Sequence, residues 1–338
     1  MKEFPSELRF DLVSKDWVII AKKRRKVAKF LMLKRKKTRV SKKKCPFCNL
    51  KEKPILAFFK GKKLKRNEIP KNWTTIVLKN KYPALLPAKK LKKEREGKFY
   101  GKLLGIGFCE LVITRDHQKN FAEFEISQIK EVLDCYQLRY LELMKNPFVN
   151  YISIFQNFRE EAGASQPHPH SQIITTPLID ADLQKALLNS KIYYQKTKKC
   201  IYCQMNKWEE KVKKRIVFEN SEFLVLCPFA SKTAFEMIIS PKKHSSNFEL
   251  IKEEEKWKLA EAFKQAMQRL SKVLKNPPFN FYLHTAPADG KKYPFYHWHF
   301  TILPKTSNLA GFELGTKIEI CTFPPEEAAK ILRKVQKT

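Results

Sequence analysis

Glycine is scarce in this 338-residue chain, at 9 residues, and no stretch of eighteen apolar residues occurs anywhere. With 43% hydrophobic and 12% aromatic residues, the composition is that of a globular protein, long enough for two domains with cores of their own. The missing apolar run excludes a membrane-spanning helix. The opening Met1-Lys2-Glu3-Phe4-Pro5 lacks the apolar core of a secretory signal, so a cytoplasmic protein is expected. In that compartment thiols stay reduced, and a Cys-x-x-Cys pair favours a metal over a disulfide. Acidic residues are also few: 34 against 68 lysines and arginines, a formal charge of +34. Such an excess implies anionic partners, either nucleic acid or phosphorylated substrates. It is spread along the chain, densest in residues 22–44 and 60–98, and mostly lysine, which is the pattern of a solvated surface.

What the chain does have is a repeated order of metal-ligating residues. Cys45-Pro-Phe-Cys48 is followed by His117 and then by His168-Pro-His170-Ser-Gln172. Cys200-Ile-Tyr-Cys203 is followed by His244 and then by His297-Trp-His299. The last two ligands of the sets are 51 and 53 residues apart (117 to 168, 244 to 297), whereas the Cys-to-His gaps differ. Two thiolates from one tight loop and two imidazoles complete a tetrahedral shell with no open position. Cys45, Cys48, His117 and His168 are therefore expected to hold one structural zinc. Cys200, Cys203, His244 and His297 are expected to hold a second, with iron or no metal as alternatives and His284 as a competing ligand. Cys109, Cys135, Cys227 and Cys321 lie in apolar or strand-like contexts and read as buried fillers.

The strand and helix pattern repeats with the ligands. In the first half, strands are expected over 7–20 (two, around a turn), 73–78, 107–114, 151–156 and 172–176, with a helix over 127–144. Residues 89–98 read as an exposed charged loop. In the second half, strands are expected over 215–219, 223–226, 234–239, 280–283 and 299–303, with a long helix over 253–274 and another from Pro325. The fold class is α+β: two tandem copies, residues 1–190 and 191–338, each an antiparallel sheet with packed helices, meeting near 185–198.

In His168-Pro-His170 one ring can bind the metal while its neighbour leans towards a substrate. A neutral imidazole is a good nucleophile at phosphorus. Gln172, two residues on and hence on the face of His170, can donate to a phosphoryl oxygen. Ser165, beside Gly163-Ala164 in a turn, and Asn157, at the end of the preceding strand, can reach the same group. The second copy keeps both histidines but has Phe300-Thr301-Ile302 where glutamine would be needed. It reads as scaffold without chemistry, leaving His299 either to touch substrate or to bind metal.

His168-Pro-His-Ser-Gln172 preceded by Ala162-Gly-Ala-Ser165 resembles the active-site motif of galactose-1-phosphate uridylyltransferases in the histidine-triad superfamily. Glu7-Leu-Arg9, Cys45-Pro-Phe-Cys48, Asn80-Lys-Tyr-Pro-Ala84, His284-Thr-Ala-Pro287 and Gly311-Phe-Glu-Leu-Gly-Thr316 extend the likeness over nearly the whole chain. The resemblance implies half-barrel histidine-triad domains and a homodimer whose active site borrows from the partner chain. It also implies a ping-pong reaction in which His170 takes UMP from UDP-glucose and passes it to galactose 1-phosphate. Gln172, Ser165 and Asn157 then hold the phosphoryl group and Asn80 the nucleoside. Arg24 (or Arg25) matches a basic segment of relatives, and Glu313 lies in the segment that faces the sugar. Two departures stand out: Phe158-Arg159-Glu160-Glu161 follows Asn157 where many relatives carry glycine, and Lys317 to Cys321 replaces a segment where they place glycine and asparagine. The second cysteine pair also looks like ADP-glucose phosphorylases, which use the same nucleophile with an adenine nucleotide. A zinc-containing nucleic-acid-binding protein is the remaining alternative; the absence of any finger spacing or aromatic–basic interleaving makes nucleic acid an unlikely partner.

Overall fold

The computed structural model describes residues 6–24, 41–65 and 70–335. Arg25 and most of the basic stretch 22–44 lie outside them. Sixteen strands run in chain order: β1 (Ser6–Phe10), β2 (Trp17–Ala21), β3 (Leu56–Phe59), β4 (Lys62–Lys63), β5 (Thr75–Lys79), β6 (Lys93–Glu96), β7 (Tyr100–Leu103) and β8 (Cys109–Thr114); then β9 (Tyr151–Phe158), β10 (His170–Thr176), β11 (Ile216–Glu219), β12 (Phe223–Leu226), β13 (Met237–Pro241), β14 (Phe279–His284), β15 (His299–Pro304) and β16 (Glu319–Cys321). The helices are α1 (Ile126–Leu143), α2 (Ala181–Thr197), α3 (Ile201–Val212), α4 (Glu253–Leu274), α5 (Gly311–Thr316) and α6 (Pro325–Lys334).

Eleven strands form one sheet in the order β11-β12-β13-β15-β14-β9-β10-β8-β5-β3-β4. Read outward from its middle, the sequence β9-β10-β8-β5-β3 on one side mirrors β14-β15-β13-β12-β11 on the other, and α1 and α4 hold corresponding places in the chain, between β8 and β9 and between β13 and β14. This is the expected internal duplication, and β9 and β14 join the copies by direct antiparallel pairing, with Asn157 opposite Asn280. Residues 185–198, where the halves are expected to meet, form the greater part of α2 and its end. The charged stretch expected as a loop is instead the exposed hairpin β6–β7, turning at Gly97 in the left-handed region (φ 61°) with Lys102 paired to Glu96. Its alternating charges leave no apolar face, which is why hydrophobic periodicity does not reveal it.

The sheet has two unlike faces, and the strand period of two produces them. Along β9, Ile152, Ile154, Gln156 and Phe158 are buried, while Tyr151, Ser153, Phe155 and Asn157 are half-buried on the other side. The buried side packs under α1 and α4, which also pack on each other, in a single apolar core drawn from both copies. Phe121, Phe263, Phe281 and Phe300 meet there edge to face, at 4.8–5.5 Å between successive rings. Cys109, Cys135, Cys227 and Cys321 are buried free thiols, as expected. β1, β2 and β16 make a separate small sheet. It is tied to the second copy by a charged network in which Arg9 and Arg215 share the Glu326 carboxylate (2.9 and 2.7 Å) and flank the Phe229 ring.

Candidate active site and paired metal clusters

Cys45 and Cys48 leave a tight turn after the 3-10 segment Lys42–Lys44, held by the Cys48 amide donating to the Cys45 carbonyl at 3.2 Å. The turn brings Cys45 Sγ to 3.4 Å from His168 Nδ1 and Cys48 Sγ to 3.2 Å from His117 Nδ1, with the two Nδ1 atoms 3.1 Å apart. A tetrahedral ion with bonds of about 2.0–2.3 Å requires ligand–ligand edges of roughly 3.3–3.8 Å, so these donors fit a metal. His168 also donates from Nε2 to the Thr114 carbonyl at 2.8 Å, which leaves Nδ1 as the ligating nitrogen. Burial lowers the His168 pKa to about 4 and keeps the ring in the neutral form a ligand requires.

The second cluster repeats this plan with a different loop. Cys200 is the N-cap of α3 and Cys203 lies in its first turn, whereas the first pair sits on an irregular turn. The longer Cys-to-His gap of the first set takes in the hairpin β6–β7, which has no counterpart between Cys203 and His244. Cys203 Sγ lies 3.4 Å from His244 Nδ1 and 3.5 Å from His297 Nδ1, and His297 Nε2 donates to the Pro241 carbonyl at 2.9 Å. Cys200 is drawn below the usual thiol range by its contact with Cys203 and by His244 and His297. Both sets of four donors are compact enough to hold a metal ion. His284 is not in the second set; its ring stacks on His299 at 4.6 Å.

His170 opens β10, and its ring turns away from the cluster. Its Nδ1 donates to the His168 carbonyl at 3.0 Å. That bond places the proton on Nδ1 and leaves the Nε2 lone pair for chemistry. Phe47, the residue before Cys48, packs edge-on against both His168 (5.6 Å) and His170 (5.1 Å), so the cysteine loop also braces the reactive ring. His170 is 7% exposed, and burial lowers its pKa from the ordinary value, which favours the neutral nucleophile. Behind the strand, Ser171 is pinned to α1 by the Tyr136 hydroxyl at 2.5 Å.

Gln172 points to the same face as His170, opposite Phe155 of β9, and continuing that register sets Asn157 beside His170. Ser165 is exposed in the loop between Ala162 and His168. That loop leaves β9 through Arg159, whose φ of 71° and ψ of 162° form a conformation ordinarily reserved for glycine. The Arg159 carbonyl then accepts from the amides of Ala162 (3.1 Å) and Ala164 (3.0 Å), and Gly163 is left-handed at φ 88°. Asn280 of β14 donates to Asn157 Oδ1 and to the Ala162 carbonyl, both at 2.8 Å. A polar residue on a strand of the degenerate copy carries no sequence signal, and only the register reveals it.

The remaining expected residues are placed elsewhere. Asn80 ends β5, where its side chain accepts from the Tyr82 amide at 3.0 Å. Arg24 closes the short 3-10 turn after β2, and Glu313 caps α5 by accepting from the Ala310 amide at 3.1 Å, so both border the small sheet rather than β9 and β10. His299 repeats the His170 arrangement, with Nδ1 donating to the His297 carbonyl at 3.1 Å. Its surroundings differ: the Tyr202 ring lies 5.6 Å away, within an apolar cluster of Val13, Leu183, Tyr202 and Tyr296. Both rings are buried, so the copies differ in what lies beside them: Gln172 and Asn157 on the His170 face, aromatic and aliphatic side chains around His299.

Twin His-x-His strands at the centre of one mirrored sheet, one ring in each pair turned to a Cys₂His₂ cluster, define a duplicated histidine-triad-like protein. Residues 2–179 match the family described as galactose-1-phosphate uridyl transferase, N-terminal domain, and residues 112–338 match a domain of unknown function. The chain belongs to the galactose-1-phosphate uridyl transferase family, a family of nucleotidyltransferases. It is 31% identical to the ADP-glucose phosphorylase of Arabidopsis thaliana over 98% of this chain and 93% of that one. It is 28% identical to the galactose-1-phosphate uridylyltransferase of Thermotoga maritima, over 98% of both. The crystal structure of an Arabidopsis thaliana ADP-glucose phosphorylase with bound ADP-glucose superposes with a TM-score of 0.80 at 29% identity, covering 98% of this chain and 100% of that one.

Proposed function

We propose that His170 carries a nucleoside monophosphate between two sugar phosphates, with UDP-glucose as donor and galactose 1-phosphate as acceptor. Nε2 attacks the α-phosphorus, a P–N bond forms, and the P–O bond to the departing glucose 1-phosphate breaks. An oxygen of the incoming sugar phosphate then attacks the same phosphorus, the P–N bond breaks, and imidazole is regenerated. Gln172 and Asn157 donate to the phosphoryl oxygens as charge builds on them, with Ser165 entering from the loop. Asn80, Arg24, Glu313 and His299 are proposed as further substrate contacts, and the site is proposed to be completed in a homodimer. Residues 1–190 form the chemical half and 191–338 its scaffold copy. Zinc is the proposed metal at Cys45, Cys48, His117 and His168, and at Cys200, Cys203, His244 and His297; it supplies rigidity to the segment that holds the nucleophile.

The observation that carries this reading is the hydrogen bond from His170 Nδ1 to the His168 carbonyl, which frees Nε2 on a face shared with Gln172 and Asn157. A second reading, an ADP-glucose phosphorylase transferring AMP to phosphate, is favoured by the near full-length likeness to that plant enzyme. Alkaline quenching and mapping of a panel with labelled UDP-glucose and ADP-glucose decides both points, because the P–N bond of a nucleotidyl-histidine survives base and hydrolyses in acid. Label retained on His170 from the uridine donor is expected. Retention from the adenosine donor alone selects the second reading, and a His170→Ala protein that still turns over removes the nucleophile assignment.

A further inference from the structure

We infer that Asn280, a residue of the non-reactive copy, is a positioning residue for nucleotidyl transfer, holding Asn157 and the phosphate loop of the reactive copy in register with His170. The inference deepens the function proposed above and rests on it. Three bonds carry it. The Asn280 amide donates to Asn157 Oδ1 and to the Ala162 carbonyl, both at 2.8 Å, and Asn157 Nδ2 reaches the Gly163 carbonyl at 3.5 Å. With its oxygen held by a donor, the Asn157 amide nitrogen is fixed towards the loop, one hydrogen on the Gly163 carbonyl and the second left for a phosphoryl oxygen. Without Asn280, the Asn157 amide is free to turn over.

The loop has a second reason to need this clamp. It leaves β9 through Arg159 in a glycine-type conformation, which is strained for a residue with a side chain and persists only where neighbours hold it. Ala162, at the far end of that turn, is gripped by a side chain from a different strand of the central pair. Asn280 therefore acts through geometry and does not touch the reacting atoms. Its counterpart by the mirror arrangement lies on β9 itself, so the clamp crosses the seam between the copies and works in one direction only. Preservation of the second copy beyond its lost chemistry follows from this.

The test uses the full-length protein with its metal content measured. Single-turnover nucleotidylation of His170 at saturating nucleotide sugar is compared for the native protein, Asn280→Ala, Asn157→Ala and the double variant. Because an alanine at a half-buried site can disturb folding, Asn280→Asp is included; it keeps the shape and loses both donated bonds. Adduct formation is expected to slow about tenfold in each single variant, with metal content and thermal midpoint close to native, and the double variant is expected to be no slower than the worse single. Faster amide exchange across residues 162–165 is expected in both Asn280 variants. A native adduct with native-rate Asn280→Asp, or losses that multiply in the double variant, overturns the inference alone. A native protein that forms no adduct overturns the proposed function together with it.

Discussion

Two side chains illustrate how this chain places unfavourable local states where surrounding structure can hold them. Arg159 adopts a backbone shape ordinarily confined to glycine, beside the loop that carries Ser165. Replacing it by glycine and by alanine separates backbone relief from the lost side chain. Arg159→Gly is expected to be more stable than Arg159→Ala by about 1–2 kcal/mol in denaturant melts. Glu236 is the second case. It is buried, accepts from the Lys232 amide at 2.5 Å and from Thr233 at 3.4 Å, and burial raises its pKa to about 7. A carboxyl with a raised folded pKa favours the native state fully below its unfolded value near 4.5, and that contribution fades as pH climbs to about 7. Melting curves from pH 5 to 8 should therefore show a loss of order 2–3 kcal/mol that Glu236→Gln abolishes; an unchanged slope in the variant would assign the effect to other groups.

At the scale of elements, the close approach of β8 and β10 is the most exacting contact near the site. A Cβ on Gly107, just before β8, would lie 2.2 Å from the Thr175 carbonyl and 2.8 Å from Leu85. The carbonyl belongs to the strand that begins with His170, so Gly107→Ala should lower stability by about 2–3 kcal/mol and slow turnover as well. Full activity with a native melting point would show that the strands can part without consequence. Much at this scale is legible from sequence. Helix 253–274 and strand 223–226 fall where periodicity puts them, because long amphipathic or fully apolar segments leave few alternatives. Helices α2 and α3 do not announce themselves: their faces are mostly polar, and Cys200 stands at once at a helix N-cap and in a cluster of donors that could hold a metal. The clustering of eight cysteine and histidine donors is legible by spacing, whereas Phe47 and Asn280 belong to residue types that fill cores and strands everywhere. Their roles exist only in the register of β9 with β14 and in the packing of one loop.

For the molecule as a whole, the charge of +34 acts in opposite directions on folding and on binding. Self-repulsion among spread lysines weakens with ionic strength, so the melting point should rise between about 20 and 300 mM salt. Steering of anionic nucleotide sugars weakens over the same range, so KM should rise with it. Parallel movement of stability and affinity would indicate that neither is governed by the net field. The apolar surroundings of His299 belong to the same scale, since Tyr202, Val13 and Tyr296 come from α3, the β1–β2 turn and the segment before His297. The difference between the copies is thus a property of which segments are laid over a symmetric sheet.

The seam between β9 and β14 means that the duplicated ancestor cannot be recovered by cutting the gene in two. Separately expressed halves would each bare one edge of a central strand, eight residues long in β9 and six in β14 and flanked by core phenylalanines, and such edges seek each other. Mixed together they should knit into a two-piece enzyme; kept apart, each should precipitate.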